Sequence, residues 1–157
     1  FRMKDLNNLI KNGVLVTAGD IESFNTMTIN WGLFGTMWRE DVFMFFVRPS
    51  RYTNEFLHNN DYFTLSFFYP AYRKELSFIG SNSGRDVDKI KEVGFNPIQL
   101  EHGVGFMEAE RTIVCKKIYF QDLDINNIPE DIRNVFYAEN DVHQMFVGEI
   151  VRVYENS

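Results

Sequence analysis

The sequence predicts a mainly β protein with inserted helices, in which the strands form one barrel. Short runs of β-type residues recur along the chain, and turn signals separate them. Stretches with apolar residues at helical spacing interrupt these runs, but they do not alternate with them in the regular β-α-β order of a parallel sheet. The length of 157 residues fits one domain, to which we assign residues 1–157.

Six runs are predicted as strands because branched and aromatic residues cluster there, between turns that contain Gly, Pro, Asn or Asp. They are residues 13–18, 26–32, 42–47, 62–67, 108–120 and 145–154.

Four stretches are predicted as helices because apolar residues recur at every third or fourth position and Pro or Gly lies near the ends. They are residues 51–58, 71–79, 85–93 and 129–136. Residues 122–130, which contain Asn126, Asn127 and Pro129, are the most loop-like part of the chain.

The composition indicates a folded, soluble protein. Phe occurs 16 times, which predicts that aromatic packing dominates the interior or a dimer interface. No apolar run approaches the roughly 20 residues that span a bilayer, and the first residues do not begin a signal peptide, so we expect a cytoplasmic protein with no membrane partner. The one cysteine, Cys115, excludes an internal disulfide and is expected to be a buried strand thiol.

The net charge of −6 argues against a nucleic-acid partner, because binding a duplex requires a basic face. It does not exclude a small anionic ligand. Solvent screens charges beyond roughly 8 Å, so a local cluster of cations decides the local field.

The second predicted strand carries small polar residues on one face, with Thr26, Thr28 and Asn30 alternating with apolar side chains. A half-buried strand with water on its polar face is the simplest interpretation. Because Gly32 and Gly35 follow, a flat heterocycle that approaches the backbone is the functional alternative.

Two arginines, Arg48 and Arg51, flank Pro49 and Ser50 directly after an apolar strand. The turn leads into a predicted helix that Ser50 or Thr53 could cap, and a helix start offers free N–H groups to an anion. Arginine donates in fork geometry to phosphate oxygens. The turn is therefore either a phosphate cradle or a surface turn with ordinary ion pairs.

A second basic helix start is predicted at residues 80–89, where small residues precede Arg85 and Lys89 and Ser83 is a candidate cap. Local pairs with Asp86 and Asp88 are the simpler interpretation, and convergence with the first turn on one phosphate is the functional one.

His58, His102 and His143 lack the spacing of a zinc site, and we predict no metal. His143 precedes the last strand and is either a packing residue or a donor near a redox cofactor. The common hydrolase and phosphate-binding motifs do not occur.

Together these segments resemble the flavin reductase-like family, the FMN-binding split barrels that include flavoredoxin. The resemblance covers residues 13–153 and depends on the order and spacing of four segments. They are Asn25-Thr26-Met27-Thr28 with Trp31, Arg48-Pro49-Ser50-Arg51-Tyr52-Thr53, Ser83-Gly84-Arg85-Asp86-Val87-Asp88-Lys89 and His143-Gln144-Met145-Phe146-Val147-Gly148-Glu149-Ile150.

The resemblance implies a split barrel that forms a homodimer with FMN at the subunit interface. It places the flavin ring against Asn25, Thr26, Met27, Thr28 and Trp31, and the phosphate in the turn formed by Arg48, Pro49, Ser50, Arg51, Tyr52 and Thr53. Ser83 and Lys89 would reach the phosphate from the second helix start, and His143 would stand near the ring as the candidate catalytic residue.

The implied function is that of an oxidoreductase that passes electrons from a reduced donor, NAD(P)H or a redox protein, through bound FMN to flavin or another acceptor. Because no nicotinamide motif is recognisable, a non-enzymatic FMN carrier or electron-transfer protein remains an alternative. A phosphate-binding barrel without redox chemistry is the third.

Overall fold

The computed structural model describes residues 2–156, nearly the whole of the predicted domain 1–157. These residues form a mainly β fold with five α-helices. The strands are β1 (Val14–Asp20), β2 (Ser23–Ile29), β3 (Gly32–Met37), β4 (Glu40–Val47), β5 (Tyr62–Phe67), β6 (Pro97–Gln99), β7 (Val104–Phe106), β8 (Arg111–Asp122) and β9 (Gln144–Glu155). The helices are α1 (Met3–Lys11), α2 (Tyr52–Asn59), α3 (Arg73–Ser81), α4 (Lys89–Val93) and α5 (Glu130–Phe136).

Seven strands form one sheet in the order β2-β1-β5-β8-β9-β4-β3, and every neighbouring pair is antiparallel. The two outer strands, β2 and β3, follow each other in the chain and are separated only by Asn30 and Trp31. A sheet whose first and last strands come together in this way is consistent with the predicted split barrel. The short pair β6 and β7 forms a second sheet.

The main core is aromatic, as the sequence predicts for the interior. Phe43 and Phe45 from β4, Phe63 from β5 and Phe146 from β9 are fully buried, and Phe45 stacks on Phe146 with ring centroids 5.6 Å apart. Cys115 is buried in the same cluster, where burial raises the pKa of its thiol. Because strands from both ends of the sheet contribute to this cluster, the sheet curves around one interior.

A second cluster lies between β1 and the helices. Leu15 points away from the main core and packs with Leu76 and Ile79 of α3 and Ile90 of α4. β1 is therefore buried on both faces, and α3 and α4 pack against its outer one.

Most predicted strands are confirmed, and β5 has the predicted bounds. The predicted strand 26–32 is wrong at its end, since β2 stops at Ile29 and Gly32 begins a new strand that the sequence did not reveal. Helix α1 and the pair β6 and β7 were also missed.

The predicted helix 85–93 is shorter than expected. Residues 84–86 form a turn, and α4 begins only at Lys89, capped by the carboxylate of Asp88, which accepts from the N–H of Lys91. Ser83 does not cap this helix. Its hydroxyl accepts from the N–H of Arg85 within the loop.

Candidate functional site

Three neighbouring cavities share lining residues. The polar cavity, about 420 Å³, is lined by the start of α2 and the loop before α4, including Arg51, Ser83 and Lys89. The tryptophan cavity, about 230 Å³, shares Arg51 with it and is lined also by Trp31 and His143. The outer cavity, about 760 Å³, adjoins the polar cavity and shares Lys89 with it.

The structure brings together most of the residues that the sequence singled out. The polar cavity contains Asn25, Ser50, Arg51, Tyr52, Thr53, Ser83 and Lys89, and the tryptophan cavity contains Met27, Thr28, Trp31, Arg48, Arg51 and His143. Two distant parts of the chain, the turn after β4 and the loop before α4, thus line one cavity. Pro49 is exposed and lines none of the three.

Lys89 is the most buried cation of the polar cavity, with 4% of its surface exposed. Its ammonium donates to the carbonyl of Ile79 at 3.3 Å. Burial, together with the nearby charge of Arg51, lowers the pKa of Lys89 to about 8. Burial also lowers the pKa of Arg51. Two cations held close together away from water favour an anion between them.

Arg85 holds the loop over the start of α2. Its guanidinium donates to the carbonyl of Ser50 at 3.0 Å and to the carboxylate of Glu55 at 2.8 Å, and it lies 4.7 Å from the ring centroid of Tyr52. Glu55, at the start of α2, therefore pairs with Arg85 of the second basic segment.

Asn25 joins the two halves of the polar cavity. Its amide donates to the hydroxyl of Thr53 at 2.7 Å, and its side chain packs directly against the backbone of Gly84. A Cβ at position 84 would clash with the carbonyl oxygen of this amide. Thr53 accepts from Asn25, and α2 begins without a side-chain cap, so neither Ser50 nor Thr53 has the predicted capping role.

The tryptophan cavity lies at the short connection between the end of β2 and the start of β3. Trp31 lies in this connection, 38% exposed, with its ring centroid 4.7 Å from that of His143 and 5.3 Å from that of Phe136. Thr28 donates to the carbonyl of Leu76 at 2.7 Å, which fixes its side chain beside α3. The cavity therefore has aromatic walls and two cations, Arg48 and Arg51, at its edge.

Arg48 is engaged by the segment that carries His143. Its guanidinium donates to the carbonyl of Asp141 at 2.6 Å and to that of Phe136 at 2.8 Å. The hydroxyl of Ser50 donates to the carboxylate of Asp141. Arg48 lines the tryptophan cavity and not the polar one, which differs from its predicted place in a phosphate cradle.

His143 is held in a neutral state. Burial lowers its pKa to about 4, the charges of Arg48 and Arg51 act in the same direction, and Asp141 acts against them. Its Nδ1 lies 2.8 Å from the hydroxyl of Tyr137.

Thr26 and Met27 lie deeper than the sequence suggested. Thr26 is buried, donates to the carbonyl of Val16 at 3.1 Å and accepts from Thr17 at 2.9 Å, so its hydroxyl is used within the sheet. Met27 belongs to the main core, and it reaches the tryptophan cavity only at its edge. Asn30, directly after β2, is exposed and lines the tryptophan cavity.

Sequence reasoning missed Tyr137, Asp141 and Phe136, which contact Arg48, Trp31 or His143. They follow a loop-like stretch with no motif, and only the return of the chain beside β4 brings them to the site. Within residues 2–156 no group of three or more His, Cys, Asp or Glu side chains is arranged to hold a metal ion. The described helices include none with the length and apolar character of a membrane span.

Fold and site together define a mainly β protein in which a cationic cavity joins an aromatic one. Residues 7–157 match the model of the family described as flavin reductase like domain, so this chain belongs to the flavin reductase-like family. The family suggested by the four sequence segments is confirmed. A comparison with curated protein sequences gives no match.

Solved structures share the fold. Flavoredoxin from Methanosarcina acetivorans superposes with a TM-score of 0.74 at 21% identity, covering 92% of this chain and 68% of that one. Flavoredoxin of Desulfovibrio vulgaris (Miyazaki F) gives 0.72 at 23% identity, covering 92% and 69%. An NADH:FAD oxidoreductase from Streptomyces globisporus C-1027 gives 0.67 at 16% identity, covering 92% and 74%.

Proposed function

We propose that this chain is an FMN-binding oxidoreductase that takes electrons from a reduced donor, such as NAD(P)H, and passes them to flavin or another acceptor. The family and the flavoprotein neighbours support a flavin ligand. The observation that carries the choice of FMN is the polar cavity, in which Lys89 and Arg51 leave buried positive charge beside loop residues that can donate hydrogen bonds.

The residues present fit FMN. The tryptophan cavity offers the aromatic face of Trp31 and the backbone after β2 to a flat ring, and the polar cavity beyond Arg51 offers cations to a phosphate. Bound FMN supplies hydride and single-electron chemistry. This chain binds the cofactor and orients it: Lys89, Arg51 and Ser83 hold the phosphate end, and Trp31, Thr28 and His143 position the ring end.

Arg48 belongs to the ring end in this proposal. It lines the tryptophan cavity, and a cation beside the polar edge of the ring favours its reduced form electrostatically. Among the other predicted contacts, Asn25, Tyr52 and Thr53 form part of the wall of the polar cavity, and Asn25 holds Thr53 in place.

The outer cavity offers space for a flavin larger than FMN, so FAD is included in the binding test. It adjoins the polar cavity and shares Asn25, Tyr52 and Lys89 with it, so a flavin with a larger tail has space beyond the phosphate. FMN is the main candidate because the polar cavity alone suits one terminal phosphate.

We further propose a homodimer that covers exposed apolar side chains of the sheet. Trp38 is 62% exposed at the turn between β3 and β4, and its ring contacts Tyr119. Other exposed apolar residues are Leu33, Phe120, Val151 and Val153. Burying such a surface against a second copy lowers its contact with water.

Flavin binding and turnover test the proposal. We expect the purified protein to bind FMN, with a flavin absorbance spectrum that survives gel filtration, and to oxidise NADH or NADPH when flavin is present. A protein that retains neither FMN nor FAD contradicts it. Binding with reversible reduction but no oxidation of either pyridine nucleotide favours the carrier alternative, and sedimentation equilibrium decides the oligomeric state.

A further inference from the structure

Tyr137 is the buried neighbour of the candidate catalytic histidine. It follows α5 directly, is 6% exposed, and its hydroxyl lies 2.8 Å from Nδ1 of His143. Either group could donate this hydrogen bond, because neutral imidazole carries its proton on either nitrogen. The direction of the bond decides which nitrogen remains for a ligand.

The surroundings of Tyr137 favour its hydroxyl as the donor. The guanidinium carbon of Arg48 lies 5.3 Å from the centroid of the Tyr137 ring. A cation over the ring draws electron density from the phenol oxygen, which makes the hydroxyl a better donor and a poorer acceptor. Burial raises the pKa of Tyr137, so the hydroxyl keeps its proton at neutral pH.

The groups around His143 keep its ring uncharged. Arg48 at the end of β4 and Arg51 before α2 oppose a positive imidazole, and Asp141 on its own segment favours one. The ring of His143 also packs against Trp31 and Tyr137, which bring no charge. Since burial adds to the two arginines, the single carboxylate is outweighed, and the pKa of His143 falls to about 4.

We propose that Tyr137 is a positioning residue that donates to Nδ1 of His143 and thereby fixes the tautomer with the proton on Nε2. His143 then offers one N–H, from Nε2, to a ligand in the tryptophan cavity that it lines with Trp31. The ligand rests on the proposed function, in which it is the flavin ring. The tautomer does not depend on that function.

The proposal narrows the role of His143. A neutral imidazole whose Nδ1 accepts from Tyr137 and whose Nε2 carries the proton offers the ligand a hydrogen-bond donor and has no free nitrogen to act as a base. Arg48 supports this arrangement in two ways. It donates to the carbonyls of Phe136 and Asp141, and its charge polarises the ring of Tyr137.

Nitrogen NMR of the flavin-free protein tests the tautomer. In ¹⁵N-histidine-labelled wild type, with the signal of His143 assigned by its loss in His143→Gln, we expect a protonated Nε2 and a bare Nδ1 between pH 5 and 8. A protonated Nδ1 in the wild type overturns the proposal by itself, whatever the variants do.

Tyr137→Phe removes only the hydroxyl. Without the donor to Nδ1, the neutral form loses stabilisation, so we expect a mixture of tautomers and a His143 pKa raised towards its ordinary value. Tyr69→Phe, the same change at an exposed site outside the tryptophan cavity, should leave both unchanged. An unaltered tautomer in Tyr137→Phe also overturns the proposal.

Adding FMN separates this inference from the proposed function. We expect the Nε2 signal of His143 to shift on FMN binding in the wild type. If FMN does not bind at all, the proposed function fails and the tautomer assignment stands. If FMN binds and the signal does not move, His143 is not a donor to the ligand and this inference fails alone.

Discussion

The guanidinium of Arg48 donates to the main-chain carbonyl of Asp141, 2.6 Å away, across 93 residues of sequence. A second bond from the same side chain, to the carbonyl of Phe136, ties both ends of the segment between α5 and His143 to the end of β4. Arg48 thus holds the wall of the tryptophan cavity in place, and in the proposed function Arg51 and Lys89 bind the phosphate.

Removing the two hydrogen bonds of Arg48 should lower the stability of the fold and weaken binding of the flavin ring. It should not change the preference for a flavin that carries a phosphate. For Arg48→Ala we expect a loss of about 2 kcal/mol in the free energy of unfolding, because two hydrogen bonds from a charged donor are lost. The ratio of FMN to riboflavin affinity should stay within about twofold. Urea unfolding and flavin fluorescence titration measure the two effects. A large fall in the ratio of FMN to riboflavin affinity would show that Arg48 contacts the phosphate.

Lys89 should discriminate between flavins with and without a phosphate. Lys89→Met keeps the volume of the side chain and removes its charge, so FMN should bind roughly 10- to 100-fold more weakly, while riboflavin binding changes little. Lys74→Met, an equal change at an exposed position of α3, serves as the control. Parallel losses for both flavins would show that the phosphate lies elsewhere.

The preference for FMN should depend on pH. The pKa of Lys89 is lowered to about 8 by burial and by Arg51, so the side chain carries its charge below that pH and loses it above. The phosphate gains its second negative charge near pH 6. We therefore expect the FMN to riboflavin affinity ratio to be greatest between about pH 6 and 8 and to fall above it. Titrations in Lys89→Met should show no fall above pH 8.

The contact between Asn25 and Gly84 should tolerate no added methyl group. In Gly84→Ala the new Cβ collides with the amide of Asn25, so either the loop before α4 or the Asn25 to Thr53 bond must shift. We expect FMN affinity to fall at least tenfold. Gly35→Ala, where a Cβ meets nothing within 4 Å, is the matched control. Isothermal calorimetry compares them, and equal affinities would mean that the loop adapts freely.

Local patterns predicted a strand best where a short run rich in aromatic residues lies between turn signals. β5 is such a run, buried along nearly its whole length, and it was predicted at its true bounds. β3 was missed because Gly32, Gly35 and an outer position in the sheet remove the signal of a buried strand. The helix at residues 85–93 was placed too early, since its spacing fits a helix but Gly84 begins a turn against Asn25.

The sequence predicted which residues belong to the candidate site better than it predicted which of them contact each other. Arg51, Ser83 and Lys89 were expected to converge, and they line one cavity. Arg48 was grouped with them because it shares the turn, yet its acceptors come from the segment after α5. Tyr137 had no signal at all.

By itself, the sequence determined the mainly β class, the aromatic core and the two basic segments, because each depends on residue type and on spacing within a few positions. The tertiary structure decided which cation meets which partner. Strand β9 pairs with β4 and brings the residues before it to Arg48, and no local pattern records such a pairing between segments that lie 90 or so residues apart.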